Sequence, residues 1–519
     1  MTRSTTGDDA RVVLEGHTPR TLDGWREQLE LAAGDRPMPW TPLAQGIVIR
    51  RTPDDFVVEE LPALEPCGSG EHLWVEIEKV SENSDTVARA LAEAVGVRAV
   101  DVGFAGRKDR HARARQWFSV RWPYATRPQL DEEKQTAADL SAPLQAPSIE
   151  SFDNRTPHAR DRAPRVCGLG VADEAQSDDP ESPVRDVAEA ALHRLNMALA
   201  ARFSGDGGST VSVRVVRGAW HSRKLQTGFL RGNRFRIVIE PIGGGITDDE
   251  INDVEDAGAE AEARAVFAER IGDRVAAIVA DGVPNYFGAQ RFGRRNLVDG
   301  INRLAAGLLA TADSVAEASV AAGGNPASTR TRRGGARRRG FGRDRNSASL
   351  AWSALRSAVF NAVLAARVRD GSWARLLPGE RVQLDGTGSF FVCDEPGLDR
   401  DLRQRFAIGD VHTSGPLVGR GRERDTAAGL ASPPAIEGMV LARYAPLERA
   451  LADVGLEAAR RPLRMVVRDF EWRVVDRESS RVELRFELPP GAFATTVLEA
   501  IAPVHDAAKA AAAPDGDRG

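Results

Sequence analysis

Between residues 481 and 488 the apolar side chains Val482, Leu484, Phe486 and Leu488 alternate strictly with Arg481, Glu483, Arg485 and Glu487. A period of two puts the first four on one face of an extended strand and the charged four on the other. One face is predicted buried and one wet. Pro489-Pro490-Gly491 then breaks the strand, and a helix is expected to begin near Thr495. Such a strand needs partners, and the chain can supply them. It has 519 residues, 42% of them hydrophobic, enough for two or three domains with a core each, so a wholly disordered chain is excluded.

The densest signals of order run from Ile47 to Val120. Phe56-Val57-Val58 and Leu73-Trp74-Val75-Glu76-Ile77 read as strands. Ser84 is expected to cap a helix with Val87, Leu91 and Val95 on one face, stopped by Gly96. A turn over 103–110 leads into a strand over 116–120, giving an α+β module. From about 125 to 186 the texture turns to Pro, Ala, Asp, Glu and Ser without periodicity, which reads as an exposed insertion or partly disordered loop. A helix through Leu192, Leu195 and Leu199 follows, then strands at 211–215 and 235–239, a helical pattern from Asp248 to near Val279, and a helix over 349–367. The Ala/Asp/Gly tail after Asp506 reads as frayed.

Some chemistry can be excluded. The three cysteines, Cys67, Cys167 and Cys393, are far apart with no C-x-x-C, so neither a disulfide framework nor a cysteine-built zinc site is available. The first 19 residues contain no apolar signal core and no apolar run approaches a membrane span; a cytoplasmic protein is expected. There is no phosphate-binding G-x-x-x-x-G-K-[ST] loop, no dinucleotide glycine fingerprint after Gly168-Leu169-Gly170, and no H-E-x-x-H.

The net charge is −5, yet of 70 basic residues only Lys79, Lys108, Lys134, Lys224 and Lys509 are lysine. A GC-rich genome explains the skew, which lowers the weight of any arginine run and raises that of a surviving lysine. Residues 330–345 hold eight arginines against one aspartate. They read equally as a solvated loop or as an electrostatic arm for nucleic acid. On the second reading, deleting them weakens RNA binding and flattens its salt dependence.

Three segments combine polar and aromatic residues in turns beside strands. Gly103-Phe104-Ala105-Gly106-Arg107-Lys108-Asp109-Arg110-His111 surrounds Asp109 with cations that favour a charged carboxylate, able to act as a covalent nucleophile beside a polyanionic substrate. An ordinary charged turn would look the same. The stretch 221–235 carries Lys224, two glycines, Asn233 and Phe235, suited to hydrogen-bonding a base edge and stacking its face; equally it suits a hairpin with Gly232-Asn233 as the turn and Phe235 in the core. The stretch 283–293 interleaves Tyr286, Phe287 and Phe292 with Arg291, fitting RNA or a packed loop.

Taken in order, these segments resemble the TruD family of tRNA pseudouridine synthases. The resemblance rests on Asp55-Phe56-Val57-Val58-Glu59-Glu60, Gly70-Glu71-His72-Leu73, Phe104-Ala105-Gly106-Arg107-Lys108-Asp109-Arg110 with Gln116-Trp117-Phe118-Ser119, and His221 through Phe235. It continues in residues 283–293, in Ser353-Ala354-Leu355-Arg356-Ser357-Ala358-Val359-Phe360-Asn361 and in Leu488-Pro489-Pro490-Gly491-Ala492-Phe493-Ala494-Thr495. Seven ordered blocks across most of the chain are far more specific than any one.

The resemblance implies an α+β pseudouridine-synthase catalytic domain with a mixed, largely antiparallel sheet, interrupted by an α/β TRUD insertion domain. The catalytic domain would occupy 1–281, with an extended insertion at 125–216, and return at 467–519; the TRUD domain would occupy 282–466. The implied reaction isomerises a uridine of tRNA, by the family's habit position 13 of the D-arm, to pseudouridine. The family's essential aspartate falls on Asp109, and such chemistry requires the nucleotide to leave its stack. Phe235 and Phe493 would stack on uracil and Asn233 would position it, with Glu60, Lys108, Lys224 and Arg110 supporting substrate binding. The partner is tRNA. No metal, cofactor, membrane or protein partner is implied, and a monomer suffices. Departures from the family pattern lie in the long 125–216 segment, the arginine-rich 330–345, Ala492 for a common serine, and Glu499-Ala500 where Arg-Glu is usual. A catalytically silent RNA-binding or RNA-chaperone protein on the same fold is the competing expectation.

Overall fold

The structure, a computed structural model, describes residues 21–123, 183–203, 211–242, 257–293, 295–305, 342–393, 400–421, 435–476 and 479–511. Most of the segment expected as an insertion at 125–216, and the arginine-rich stretch as far as 341, lie outside these residues. Sixteen strands are described: β1 (Gly46–Ile49), β2 (Phe56–Pro62), β3 (His72–Val80), β4 (Val102–Phe104), β5 (Arg113–Arg121), β6 (Ser212–His221), β7 (Leu230–Ile242), β8 (Val283–Pro284), β9 (Glu380–Leu384), β10 (Phe390–Cys393), β11 (Val411–Leu417), β12 (Ala459–Pro462), β13 (Arg464–Met465), β14 (Arg468–Asp476), β15 (Arg481–Leu488) and β16 (Val504–Asp506). The chain divides into a first unit (1–63, 108–115 and 228–519) and a second (64–107 and 116–227).

In the first unit β14, β15, β7 and β2 run side by side in antiparallel register and the start of β5 joins β2 in parallel. At the end of β7, beyond the residues that pair with β2, β1 pairs antiparallel with it and parallel with β16. The large sheet is therefore mixed, and with its helices the fold is α+β. Its apolar face is built by the alternation that the sequence displays. Val482, Leu484, Phe486 and Leu488 pack with Phe56, Val58, Phe235, Ile237 and Ile239 under the helix Ala257–Asp281, which turns Phe267, Ile271, Val275 and Ile278 inward at helical spacing. Each such side chain contributes about 1.5 to 3 kcal/mol on burial.

The strand's other face departs from expectation. Glu483 is buried rather than wet, because Arg473 from β14, Arg236 from β7 and its own neighbour Arg485 close over its carboxylate. Gly232-Asn233 is not a hairpin turn but lies inside β7, opposite Leu61 and Glu60; the turn comes earlier, at Gly228, whose φ of +88° suits glycine. The tail is not wholly frayed: β16 is followed by the short helix Ala507–Ala511.

Where the chain passes from β7's helix into the 283–463 segment, β8 pairs with β13, Pro284 opposite Arg464. Beyond this ladder a second core forms around the helix Gly342–Arg369, with Leu355, Val359, Phe360 and Val363 meeting Tyr286, Phe287 and Leu447, and with Trp25 and Leu29 of the N-terminal helix Leu22–Gly34. The antiparallel sheet β10-β9-β11-β12 lies in this part of the chain. Two buried cations in this part of the chain are paired with acids: Arg367 meets Glu380 at 3.0 Å and Arg460 meets Glu437 at 2.8 Å. Residues Ala348–Arg369 form the one helix among those described that is long and apolar enough to cross a membrane, and most of it is buried in this core.

The second unit pairs β3 with β6 and β4 with the rest of β5. The helices Ser84–Val95 and Pro183–Phe203 cover it with Val87, Leu91, Leu195 and Leu199. β3 is buried on both faces, its acids Glu76 and Glu78 being taken up by Arg217 and Arg214 across the ladder. Asn83, not Ser84, occupies the helix cap position; the Ser84 hydroxyl instead donates to Gln116 Oε1 inside the unit.

Candidate active site

β1 ends at Ile49, and Arg50 follows with φ +59°, a left-handed backbone uncommon for a side chain of this size. The turn is completed by Thr52 and Asp55, whose carboxylate accepts the Thr52 N–H at 2.8 Å, and the chain enters β2. This bend folds the Arg50 guanidinium 3.9 Å above the Phe56 ring. Its side chain is 4% exposed. Nη1 donates to Asp506 Oδ2 at 2.6 Å and Nη2 to Asp109 Oδ2 at 2.5 Å. Asp506 is placed by β16, where it lies opposite Ile49 in parallel register. Asp109 sits on the loop between β4 and β5, its side chain 46% exposed.

The residue before it is anchored differently. Glu60 in β2 and Asn233 in β7 are register partners, both buried. Lys108 Nζ lies 2.8 Å from Glu60 Oε2 and donates to Asn233 Oδ1 at 2.6 Å. A lysine entering between a buried carboxylate and a buried amide satisfies both, and without it Glu60 would be a charge enclosed in protein. So two adjacent loop residues are held by opposite polarity: Lys108 inward on an acid, Asp109 outward against a base.

Asn233 and Phe235 are two apart on β7 and share a face. Phe235 is 7% exposed, stacked on Phe486 at 5.5 Å and edge-on to Phe56 at 6.2 Å. Asn233 also lies opposite Leu488, the last residue of β15. Five residues on, beyond Pro489, Pro490 and Gly491, the partly buried Phe493 takes the N-cap position of the helix Ala494–Glu499. Gly232 permits this meeting, since a Cβ there would stand 2.5 Å from the Leu488 carbonyl oxygen.

The structure thus gathers Asp109, Lys108, Glu60, Asn233 and Phe235 on neighbouring elements of the first unit, with Phe493 following the strand end opposite Asn233. Arg110 is exposed on the same loop. Lys224 belongs to the second unit, where its ammonium donates to the Val100 carbonyl. Arg107, also in the second unit, bridges to Asp85 at 2.8 Å, so the cations flanking Asp109 in sequence have separate tasks. In that unit His221 accepts the Cys67 N–H on Nδ1 at 3.3 Å, and burial and the charge of Arg223 hold its imidazole below the usual histidine range.

Sequence reasoning missed Arg50, Phe56 as its platform, and Asp506. Arg50 stands five residues before the Asp55–Glu60 block and looked like one arginine among many. Asp506 stood where the reading let order end.

Comparison with known proteins supports the family resemblance. The family model described as "tRNA pseudouridine synthase D (TruD)" matches residues 41–141, 208–338 and 343–501. A tRNA pseudouridine synthase D of Methylococcus capsulatus is 34% identical over 452 residues, covering 87% of this chain and 89% of the relative; that of Nitrosococcus oceani is 33% identical over 484 residues, covering 92% and 96%. A solved Methanosarcina mazei structure described as TruD covers 92% of this chain and 97% of its own, with 16% identity and a TM-score of 0.49. With a family model matched over most of its length and relatives above 30% identity along nearly theirs, the chain belongs to the TruD family and is a tRNA pseudouridine synthase, an isomerase.

Proposed function

We propose that the chain converts a uridine of tRNA, at position 13 of the D-arm, to pseudouridine, with Asp109 as the nucleophile. The observation that carries this reading is the pairing of a half-exposed carboxylate with an almost wholly enclosed guanidinium: Arg50 holds Asp109 Oδ2 at 2.5 Å while the Asp109 side chain stays 46% exposed. Fixed charge next to an accessible oxygen is what an attacking carboxylate needs. The flipped uridine presents its glycosidic bond to Asp109; the N1–C1′ bond breaks, the uracil rotates, the C5–C1′ bond forms, and the proton lost from C5 is balanced by one gained at N1. Product and substrate are isomers, so no co-reactant is consumed.

In this reading Asn233 hydrogen-bonds the uracil edge, Phe493 stacks on its face, and Phe235 forms the pocket floor from within the aromatic group it shares with Phe56 and Phe486. Lys108 and Glu60 set the loop height, and Arg110 and Lys224 meet the polyanion. The strands that carry these residues constitute the catalytic domain, residues 282–466 are the TRUD insertion entered and left through the β8–β13 ladder, and the enzyme works as a cytoplasmic monomer.

The test is incubation with unmodified tRNA followed by carbodiimide treatment and reverse transcription. Wild type is expected to give a stop at position 13 and Asp109→Asn none, with tRNA binding retained by both. If wild type and variant alike bind tRNA tightly and leave it unmodified, the chain is a silent RNA-binding protein.

A further inference from the structure

Away from Asp109, three arginines of the first unit gather without a carboxylate among them. Arg291 lies in the short helix Ala289–Phe292, Arg356 on the helix Gly342–Arg369 and Arg461 on β12. The Arg461 guanidinium stands 4.3 Å from the Phe287 ring centre and that of Arg291 stands 5.3 Å from the same centre, so two cations share one ring. Their hydrogen bonds go to neutral groups. Arg461 donates to Asn285 Oδ1 at 2.6 Å, Arg291 to the hydroxyls of Ser357 and Ser353, and Arg356 to the Glu457 backbone carbonyl at 3.2 Å.

Among the described residues none of the three has an acidic side chain within ion-pair distance, and the enclosed Nε atoms of Arg356 and Arg461 have no acceptor. The contrast with their surroundings is informative. Arg367 and Arg460, in the same part of the chain, each face a buried glutamate. Here three partly buried charges lie close enough to repel one another. Burial and the neighbouring Arg291 push Arg461 down to about 10, and the same causes lower Arg356, so these cations carry electrostatic strain that an anion relieves.

We propose that Arg291, Arg356 and Arg461 form a phosphate subsite that holds a backbone phosphodiester of the tRNA. The inference rests on tRNA being the substrate. Planar guanidinium forks match phosphate oxygens, and the aromatic ring and serines preorganise them, so little is lost in ordering the site when RNA arrives. Its contribution is to affinity and register, not to the isomerisation.

The test uses the full chain and fluorescently labelled tRNA across a KCl series. For Arg356→Gln, binding is expected to weaken about five- to tenfold and the log–log salt slope to become shallower by about 0.7 to 0.9, while Arg356→Lys retains the slope. Pseudouridine formation by Arg356→Gln at saturating tRNA is expected to stay within about twofold of wild type, because only uniform binding has been removed. With the unmutated chain, inorganic phosphate at matched ionic strength is expected to compete with tRNA and raise the melting temperature. Unchanged affinity and slope in a folded Arg356→Gln would overturn the proposal. So would phosphate that stabilises the wild type without displacing tRNA, which would mean a small-anion site only. A wild type that shows the slope change against its variant yet forms no pseudouridine would sink the proposed reaction and leave the subsite standing.

Discussion

Arg50 and Asp506, separated by 456 positions in sequence, are joined by a 2.6 Å ion pair that aims the second arm of the same guanidinium at Asp109. Asp506 lies beyond residue 501, where the family-model match ends. In the proposed reaction it is a positioning residue, reaching Asp109 through Arg50. Asp506→Asn is expected to reduce single-turnover isomerisation while leaving the tRNA dissociation constant near wild type, at a stability cost of about 2 kcal/mol. Asp506→Glu is expected to recover part of the rate. Arg50→Ala should be worse on both counts, losing about 3 kcal/mol because, among the described residues, Asp506 is left with only the exposed Lys509 ammonium at 3.6 Å. Denaturant melts alongside single-turnover rates separate the two effects.

Lys108 and Glu60 form a buried pair, so each single neutralisation strands the other. Lys108→Met and Glu60→Gln are each expected to cost about 3 to 5 kcal/mol, while the double variant costs less than their sum. Urea titrations of the four proteins measure the coupling. Additivity would show that the two groups do not share their burial.

Gly232→Ala places a methyl group 2.5 Å from the Leu488 carbonyl oxygen. The ladder between β7 and β15 must open there, at about 1 to 3 kcal/mol. The larger effect is expected on substrate: Phe493 hangs from the end of that strand, so KM should rise more than stability falls, which tRNA titration of the initial rate would show.

Glu483 predicts acid sensitivity. Burial pushes its carboxyl up, but hydrogen bonds from Arg473 and Arg236 and the charges of Arg485 and Arg473 outweigh burial and hold it down at about 2. An unfolded glutamate titrates near about 4.3. The stabilisation is therefore complete above that value and is lost as pH falls from about 4.3 through about 2. Melting temperatures of wild type and Glu483→Gln are expected to differ most above pH 5 and to converge in that acid window; a constant gap would refute the assignment.

Legibility in the sequence followed the range of the interaction. Alternation disclosed β15 and its buried face because each residue reports on its own side of a strand. It misread Glu483, since burial of a carboxylate depends on arginines contributed by two other strands. Asp109 was singled out through its local block, and Glu60, Lys108 and Asn233 through theirs, but the contact of Lys108 with Glu60 and Asn233 is a matter of register between β2 and β7. Arg50 was hidden by the abundance of arginine, and its left-handed backbone leaves no trace in composition. Gly232-Asn233 looked like a turn because glycine and asparagine favour turns; the need for close approach of Leu488 chose glycine instead.

The parallel pairing of β1 with β16 has a bearing on synthesis. The Leu43 N–H bonds to the Ile501 carbonyl and the Ile47 N–H to that of Pro503, so the strand that presents Arg50 finds its lateral partner about 450 residues later in the chain. On the ribosome that edge of β1 stays open until the residues of β16 have been made. A nascent chain that has not yet released residue 506 holds Arg50 and Asp109 without the carboxylate that takes up the guanidinium's other arm, so this three-residue arrangement forms only after residue 506 has emerged.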